Sequence, residues 1–297
     1  MIFINYYDEI KNELVNNEIT KKVKDYSKNR SDLITYYNVG KLLSEAGKHY
    51  GEGIIKEYSK RLTNEFGTKF GITLLKRIRQ FYIVIEKGAT MSHQLSWSHY
   101  CELLPVNSID KINYYIKITK EQNLSIRELR TKIKNNEYER LDESTKEKLK
   151  EKEELKVPDL VKNPIQIKNT SGNNEISEKV LQKLILEDIP SFLDELGNGF
   201  TFVRNEYKIK IGDRYNYIDL LLFNYEFNCF VVVELKVSEL KKEHIGQIEF
   251  YMNYIDKNLK NINQNKTIGI IICKNENNYI IEYCSDDRIL AREYELI

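Results

Sequence analysis

Residues 217–237 read YIDLLLFNYEFNCFVVVELKV, and this stretch decides the architecture of the carboxy-terminal half. The runs Tyr217–Phe223 and Phe230–Val233 are apolar almost without a break. Strands of that texture are covered on both faces, which implies a mixed sheet sandwiched by helices. Yet Asp219 interrupts the first run, and Glu234 and Lys236 follow directly on the second. An unpaired carboxylate in a central strand costs several kcal/mol, so such charges are kept where they meet a metal, a partner or a substrate. Side chains alternate along a strand, so Glu234 and Lys236 share a face. If the two strands pair as a hairpin, Asp219 comes beside Glu234 on it.

Upstream, a helix is expected over Ser177–Leu196 and a strand over Phe200–Ile211, with Gly212 and Asp213 where a hairpin turn belongs before a strand over Tyr215–Asn224. Downstream, a strand over Cys229–Val237 gives way to an amphipathic helix over Lys241–Leu259 and two further strands, Thr267–Cys273 and Tyr279–Tyr283. The expected order is α-β-β-β-α-β-β. From Glu143 to Glu175 the composition shifts to alternating Lys and Glu, then Pro158 and Pro164, then a polar cluster around Ser171 and Gly172. This reads as the domain boundary, with a solvated helix over Thr145–Leu155 ahead of the prolines. Two domains are therefore expected, residues 1–142 and 175–297, joined by a charged, proline-containing linker over 143–174.

The front half carries no strand-like alternation. Apolar positions recur at three and four through residues 5–140, as in Leu33, Ile34, Tyr37 and Leu42 through Ala46, so helices are expected there. A helix from Ile54 to Phe66, a turn from Gly67 to Gly71, and a second helix capped by Thr73 make a helix-turn-helix silhouette. On the second helix Lys76, Arg77 and Arg79 can face phosphates while Leu75, Ile78, Phe81 and Tyr82 turn inward. An ordinary bundle helix with a solvated basic face gives the same pattern. Trp97, with His99 and Tyr100, is either a stacking platform for bases or part of a core. His93 and His99 lack a third nearby ligand, and Gly51 and Gly53 lack the strand and the Gly-Lys pair of a phosphate loop, so neither zinc nor nucleotide binding is expected here.

The 297 residues suffice for two ordinary domains, and 41% hydrophobic with 31% charged residues is the composition of a soluble globular protein. No run approaches a membrane span and the start lacks the order of a secretion signal, so a cytoplasmic protein with no membrane partner is expected. The four cysteines never approach CxxC spacing, which argues against disulfides and structural zinc. A net charge of +1 conceals an asymmetry: residues 1–140 carry 24 Lys+Arg against 17 Asp+Glu, a balance of +7, whereas 141–297 carry 22 against 28, a balance of −6. A basic front suits phosphates and an acidic back suits a domain that gathers carboxylates round a cation, although solvated helical proteins show such splits too.

Two carboxylates and one ammonium on neighbouring strands suit the hydrolysis of a phosphodiester. A hard divalent cation, Mg2+ most naturally and Mn2+ as its substitute, is held by carboxylate oxygens, while Lys236 positions the water or stabilises the charge growing on phosphorus. A buried salt bridge from Lys236 to Glu234 or Asp219, with no chemistry, is the competing reading. Gln247 and Tyr251 stand four apart on the following helix and share a face.

The segments YIDLLLFNYEFNCFVVVELKV and HIGQIEFYMNYID resemble the PD-(D/E)XK nuclease superfamily, in its YhcG branch, and LKRIRQFY, LSWSHYCELL and LSIRELRTKI are similar to the helical amino-terminal domain of that branch. The resemblance implies an all-α, winged-helix-like front domain followed by an α/β restriction-endonuclease-like domain with a mixed central sheet flanked by helices. It also implies a Mg2+-dependent nuclease acting on DNA by preference, with Asp219, Glu234 and Lys236 at the D and ExK positions and the carbonyl of Leu235 as a further metal ligand. Gln247 and Tyr251 are similar to the QxxxY motif of RecB-like nucleases, where Gln247 would touch substrate or water and Tyr251 the DNA backbone; one interfacial polar residue and one core tyrosine is the plainer reading. Many members place a glutamate on the first helix, whereas Gln182 stands near that position here, leaving Glu178 or Glu187 as substitutes and Glu206 as a further carboxylate. Two rival functions share the fold: an inactive descendant that binds nucleic acid or protein, and a homo-oligomeric interaction protein of a repair, recombination or defence system.

Overall fold

The computed structural model describes residues 6–23, 28–170, 172, 176–282, 284 and 286–297. It divides into two compact units, Met1–Tyr138 and Glu139–Ile297.

The first unit is built of helices: α1 Tyr6–Val23, α2 Lys28–Tyr50, α3 Ile54–Phe66, α4 Ile72–Glu86, α5 Trp97–Leu103, α6 Ile109–Glu121 and α7 Ile126–Lys134. Its described residues contain no strand, so the wing of a winged helix is not among them. Val39, Leu43 and Ala46 of α2 meet Leu75 and Ile78 of α4 in one core, while Ile34, expected inside, is 41% exposed. The two helices cross closely because Gly40 has no side chain; a Cβ there would stand 2.5 Å from the Ile78 carbonyl oxygen. Thr73 does not cap α4. The cap position is Gly71, and Thr73 lies inside the helix. His99 closes the start of α5, its Nδ1 3.1 Å from the Ser96 amide and its Nε2 3.1 Å from the Leu124 carbonyl.

The second unit runs α8 Glu143–Glu151, α9 Val157–Leu160, β1 Ile165–Ile167, α10 Glu178–Glu187, α11 Ile189–Leu196, β2 Phe200–Ile211, β3 Arg214–Asn224, β4 Cys229–Leu235, α12 Lys242–Asn258, β5 Ile268–Cys273, α13 Asn278–Glu282 and β6 Ile289–Leu296. The sheet order is β1-β6-β5-β4-β3-β2. Pairs β2–β3 and β3–β4 are antiparallel, whereas β4–β5, β5–β6 and β1–β6 are parallel. A mixed sheet follows from the connections: tight turns join β2 to β3 and β3 to β4, and the crossover helix α12 brings β5 in beside β4 in the same direction. Leu220, Leu222, Val231 and Val233 face α10 and α11 on one side, while Leu221, Val232 and Ile271 face α12 on the other.

Several expectations need correction. The stretch expected as a linker is structured within this unit: α8 and α9 lie in it, and β1 pairs with β6, Ile165 opposite Tyr294. Arg140 forks onto Glu195 and Arg292 reaches Asp142 at 2.7 Å and the Val161 carbonyl at 3.1 Å, binding the segment to the domain core. The helix expected over Ser177–Leu196 is two helices, because Pro190 cannot continue the first and instead takes a first-turn place in the second, capped by Asp188. Residues 279–282 are helical, not a strand, and Tyr283 lies outside the described residues. The strand that completes the sheet is β6, whose buried Arg292 and partly buried Glu293 masked it in the sequence.

Candidate active site

Asp219 sits where β3 changes its facing. Strand side chains alternate, yet Ile218 and Leu221, three apart, both enter the cluster under α12, while Leu220 enters the opposite one. The alternation therefore reverses at Asp219. On β2, Asn205 pairs with Leu220 and Tyr207 with Ile218, and Glu206 between them has φ +46°. A left-handed residue inside a strand is strained and marks a local twist of the kind that re-aims side chains beside sites. Freed from either face, the Asp219 carboxylate reaches across to β4, where Oδ2 accepts the Leu235 amide at 2.8 Å. Gln182 of α10 donates to the Asp219 carbonyl at 3.0 Å. Oδ1 of Asp219 makes no hydrogen bond among the described residues.

Glu234 follows the buried valines of β4 and is only 2% exposed. Its Oε2 lies 3.3 Å from Lys236 Nζ and 3.1 Å from Gln247 Nε2, whereas Oε1 is buried with no hydrogen bond among the described residues. Gln247 also reaches the Tyr251 hydroxyl at 3.2 Å. The structure thus brings Asp219, Glu234, Lys236, Gln247 and Tyr251 together. Tyr251 is buried in the cluster under α12, with its hydroxyl on Gln247.

The electrostatics of this group are those of a site short of positive charge. Burial pushes the Glu234 carboxyl up to about 8, and the neighbouring Asp219 charge adds to the rise, while Lys236 and the Asp219 backbone amide oppose it. Asp219 is raised too, by burial first, with the Leu235 amide and Lys236 holding it back and Glu178 and Glu206 pushing it up. Burial works to neutralise Lys236, but Glu234, Glu178 and Asp219 outweigh it and hold the ammonium above its ordinary value. His244, which closes the start of α12 through the Lys241 amide at 3.2 Å, is lowered by burial and then by Lys236, so it is a neutral imidazole beside the site.

Of the two first-helix candidates, Glu178 is felt at Asp219, Lys236 and His244, whereas Glu187 is engaged by Thr170 at 2.7 Å and by Lys183. His244 and the backbone role of Gln182 went unseen in the sequence; a His three residues after Lys241 at a helix start was the available signal for the first. Among the described residues no three His, Cys, Asp or Glu side chains are grouped to hold a metal ion. What the site offers is two carboxylates and a main-chain carbonyl. The Leu235 amide points towards Asp219, and in extended backbone the carbonyl of the same residue leaves on the same side. An orphaned buried oxygen beside a second carboxylate fits a hard divalent cation, which takes oxygen ligands and keeps waters in its remaining positions.

In the first unit Lys76 and Arg77 are exposed on α4, but Arg79 is half-buried and paired with Glu52 at 2.6 Å. Trp97 packs on Tyr36 at 4.6 Å between centroids and edge-on to Phe81 at 5.5 Å, a core position and no open platform. Among the described residues no helix is long and apolar enough to cross a membrane.

Residues 158–297 match the family described as YhcG PDDEXK nuclease domain, and residues 9–140 match the DUF1016 N-terminal domain. The chain is 26% identical over 330 residues to the Escherichia coli (strain K12) protein described as "Putative nuclease YhcG", an alignment covering 95% of this chain and 88% of that one. Among solved structures it is similar to a repair endonuclease from Pyrococcus abyssi, at 18% identity and a TM-score of 0.29, covering 43% of this chain and 49% of that one. It is similar also to a complex of EndoMS with dsDNA, at 18% identity and a TM-score of 0.29, covering 43% and 48%. The chain thus spans about half the length of those structures, and likeness at this TM-score bears on neither activity nor substrate.

Proposed function

We propose, from the match of residues 158–297 to the YhcG PDDEXK nuclease domain and of residues 9–140 to the DUF1016 N-terminal domain, that the chain hydrolyses phosphodiester bonds in nucleic acid, DNA by preference, at Asp219, Glu234 and Lys236. The observation that carries this reading is Glu234 Oε1, buried next to a second carboxylate, with neither it nor Asp219 Oδ1 hydrogen-bonded among the described residues. Two desolvated carboxylates side by side are unfavourable by themselves and become favourable round a cation.

Asp219, Glu234 and the Leu235 carbonyl would hold Mg2+, with Mn2+ able to replace it. When bound, the cation polarises the phosphate and makes water a nucleophile at neutral pH. The rest falls to this chain's own groups. Glu234 gives up its proton as its counter-charge arrives, since cation ligands must be deprotonated. Lys236 stays protonated, so it acts as a fixed positive charge that orients the water and steadies the charge developing on the phosphate, not as a base. Gln247 holds Glu234 Oε2 and can turn its amide oxygen towards water or substrate, and Tyr251 fixes Gln247. Glu178, at the start of α10, is the further carboxylate whose charge reaches Asp219 and Lys236. On the first unit, Lys76, Arg77 and Arg79 are assigned to phosphate contacts.

The test is incubation of the full chain with Mg2+ or Mn2+ on single-stranded, duplex and branched DNA and on RNA, beside Asp219→Ala. Cation-dependent cleavage that disappears in the folded variant supports the reading. Cleavage at wild-type level in Asp219→Ala refutes the site, and binding without any cleavage favours an inactive nucleic-acid-binding descendant.

A further inference from the structure

Past the reversal at Asp219, the hairpin of β2 and β3 carries a second chemical face. Tyr207, Ile209, Ile211 and Ile218 turn into the cluster under α12. Alternation therefore sends Lys208, Lys210, Tyr215 and Tyr217 to the opposite side. They stand in register, Lys208 opposite Tyr217 and Lys210 opposite Tyr215, and directly opposed residues share a face. Both rings are half open to solvent, at 52% and 51% exposure, on the outermost hairpin of the sheet. Lys208 Nζ stands 3.8 Å from the Tyr215 ring centre. Among the described residues neither hydroxyl and neither ammonium has a hydrogen bond or ion pair. Tyr217 is two residues from Asp219, about 7 Å along the strand, so the patch begins beside Asp219 on the sheet face away from α12, the face that α10 covers further along.

Cross-strand pairing of side chains stabilises a hairpin modestly. That accounts for their pairing but not for two aromatic rings left open beside a site. Exposed rings interleaved with lysines are what an unpaired nucleic-acid strand requires: each base has a π-face for a ring, and each phosphate takes an ammonium. A protein partner would be met by a drier, less cationic patch. We propose that the face formed by Lys208, Lys210, Tyr215 and Tyr217 binds an unpaired segment of a nucleic-acid strand and leads it to Asp219. The proposal rests on the nuclease reading for the direction of the strand, but binding itself is measured without turnover.

The full chain is titrated with a mixed-sequence single-stranded DNA oligonucleotide in EDTA, by fluorescence anisotropy over a series of salt concentrations. Replacing Tyr215 and Tyr217 together by Ser is expected to weaken binding roughly tenfold or more, since stacking of each base is worth about 1–3 kcal/mol. The double Phe variant, which keeps the rings, should remain within about twofold of wild type. Lys208→Gln with Lys210→Gln should reduce the slope of log affinity against log salt by about 1.4, two phosphate contacts at about 0.7 each on a single strand. Blunt duplex binding should change little in the Tyr variants. Where cleavage is seen, KM for substrates with an unpaired flank rises and kcat holds. Wild-type affinity and slope in both sets of variants, with unfolding temperatures matching wild type, overturns the proposal, as does equal loss in the Phe and Ser variants. Altered self-association with unchanged binding also overturns it and makes the face a contact between copies. Wild-type binding with no cleavage anywhere would remove the nuclease reading while leaving this face standing.

Discussion

Replacing Glu234 by Gln should stabilise the cation-free protein at pH 8 and leave it nearly unchanged at pH 5. The folded chain holds the Glu234 proton up to about 8, against an ordinary 4.5. Between those values the folded state binds more protons than the unfolded one, so stability is full below the ordinary value and is lost as pH rises to the raised one. A displacement of that size corresponds to at most about 5 kcal/mol at 1.36 kcal/mol per pH unit. Gln keeps the shape and the neutral charge of the protonated acid but loses the ion pair with Lys236 at 3.3 Å, which returns part of the gain. We expect a net gain of about 2–4 kcal/mol at pH 8, or roughly 5–15 °C in the unfolding temperature of the second unit. Differential scanning calorimetry in EDTA from pH 5 to 9 reads this directly. Glu276, raised to about 7 by burial, titrates in the same range, so the difference between wild type and variant is the quantity to plot. Mg2+ should reverse the order, stabilising wild type more at pH 8 than at pH 5 and the variant hardly at all. A flat difference curve, with no Mg2+ effect on wild type, would refute the claim that Glu234 is a buried carboxylate awaiting a cation.

Lys236→Ala should slow cleavage by roughly 10²–10³-fold, the loss of one preorganised charge, while Mg2+ affinity measured by calorimetry changes much less; equal loss of both would make Lys236 a structural partner only. Neutralising Lys76, Arg77 and Arg79 should weaken duplex DNA binding and reduce its salt slope by about 0.9 per contact, with Arg79 contributing least because Glu52 already holds it. An unchanged slope would return α4 to a plain bundle face. Gly40→Ala forces a Cβ to within 2.5 Å of the Ile78 carbonyl oxygen and should lower the stability of the first unit by about 1–3 kcal/mol, seen as an earlier first transition on urea unfolding.

Much of the second unit was legible in the sequence because its signals are local. Continuous apolar runs announce strands buried on both sides, Gly212 and Asp213 mark the hairpin, and charged residues set into or directly after those runs single out Asp219, Glu234 and Lys236, whereas Gln247 was singled out by its resemblance to a known motif. The tertiary structure decided what depends on partners far along the chain. The stretch 143–168 looks like a linker because its prolines and alternating charges satisfy nothing nearby; it belongs to the second unit because Arg292 reaches Asp142 and the Val161 carbonyl, and because β1 finds β6. For the same reason β6 was missed, since an arginine inside a strand is tolerable only when a distant segment satisfies it. Strand periodicity placed Asp219 on a face with Glu234, but the fold reverses the alternation at that residue and turns its carboxylate to the Leu235 amide. Sequence fixes which charges must be buried; only the packed sheet, by paying strain at Glu206, fixes where they point.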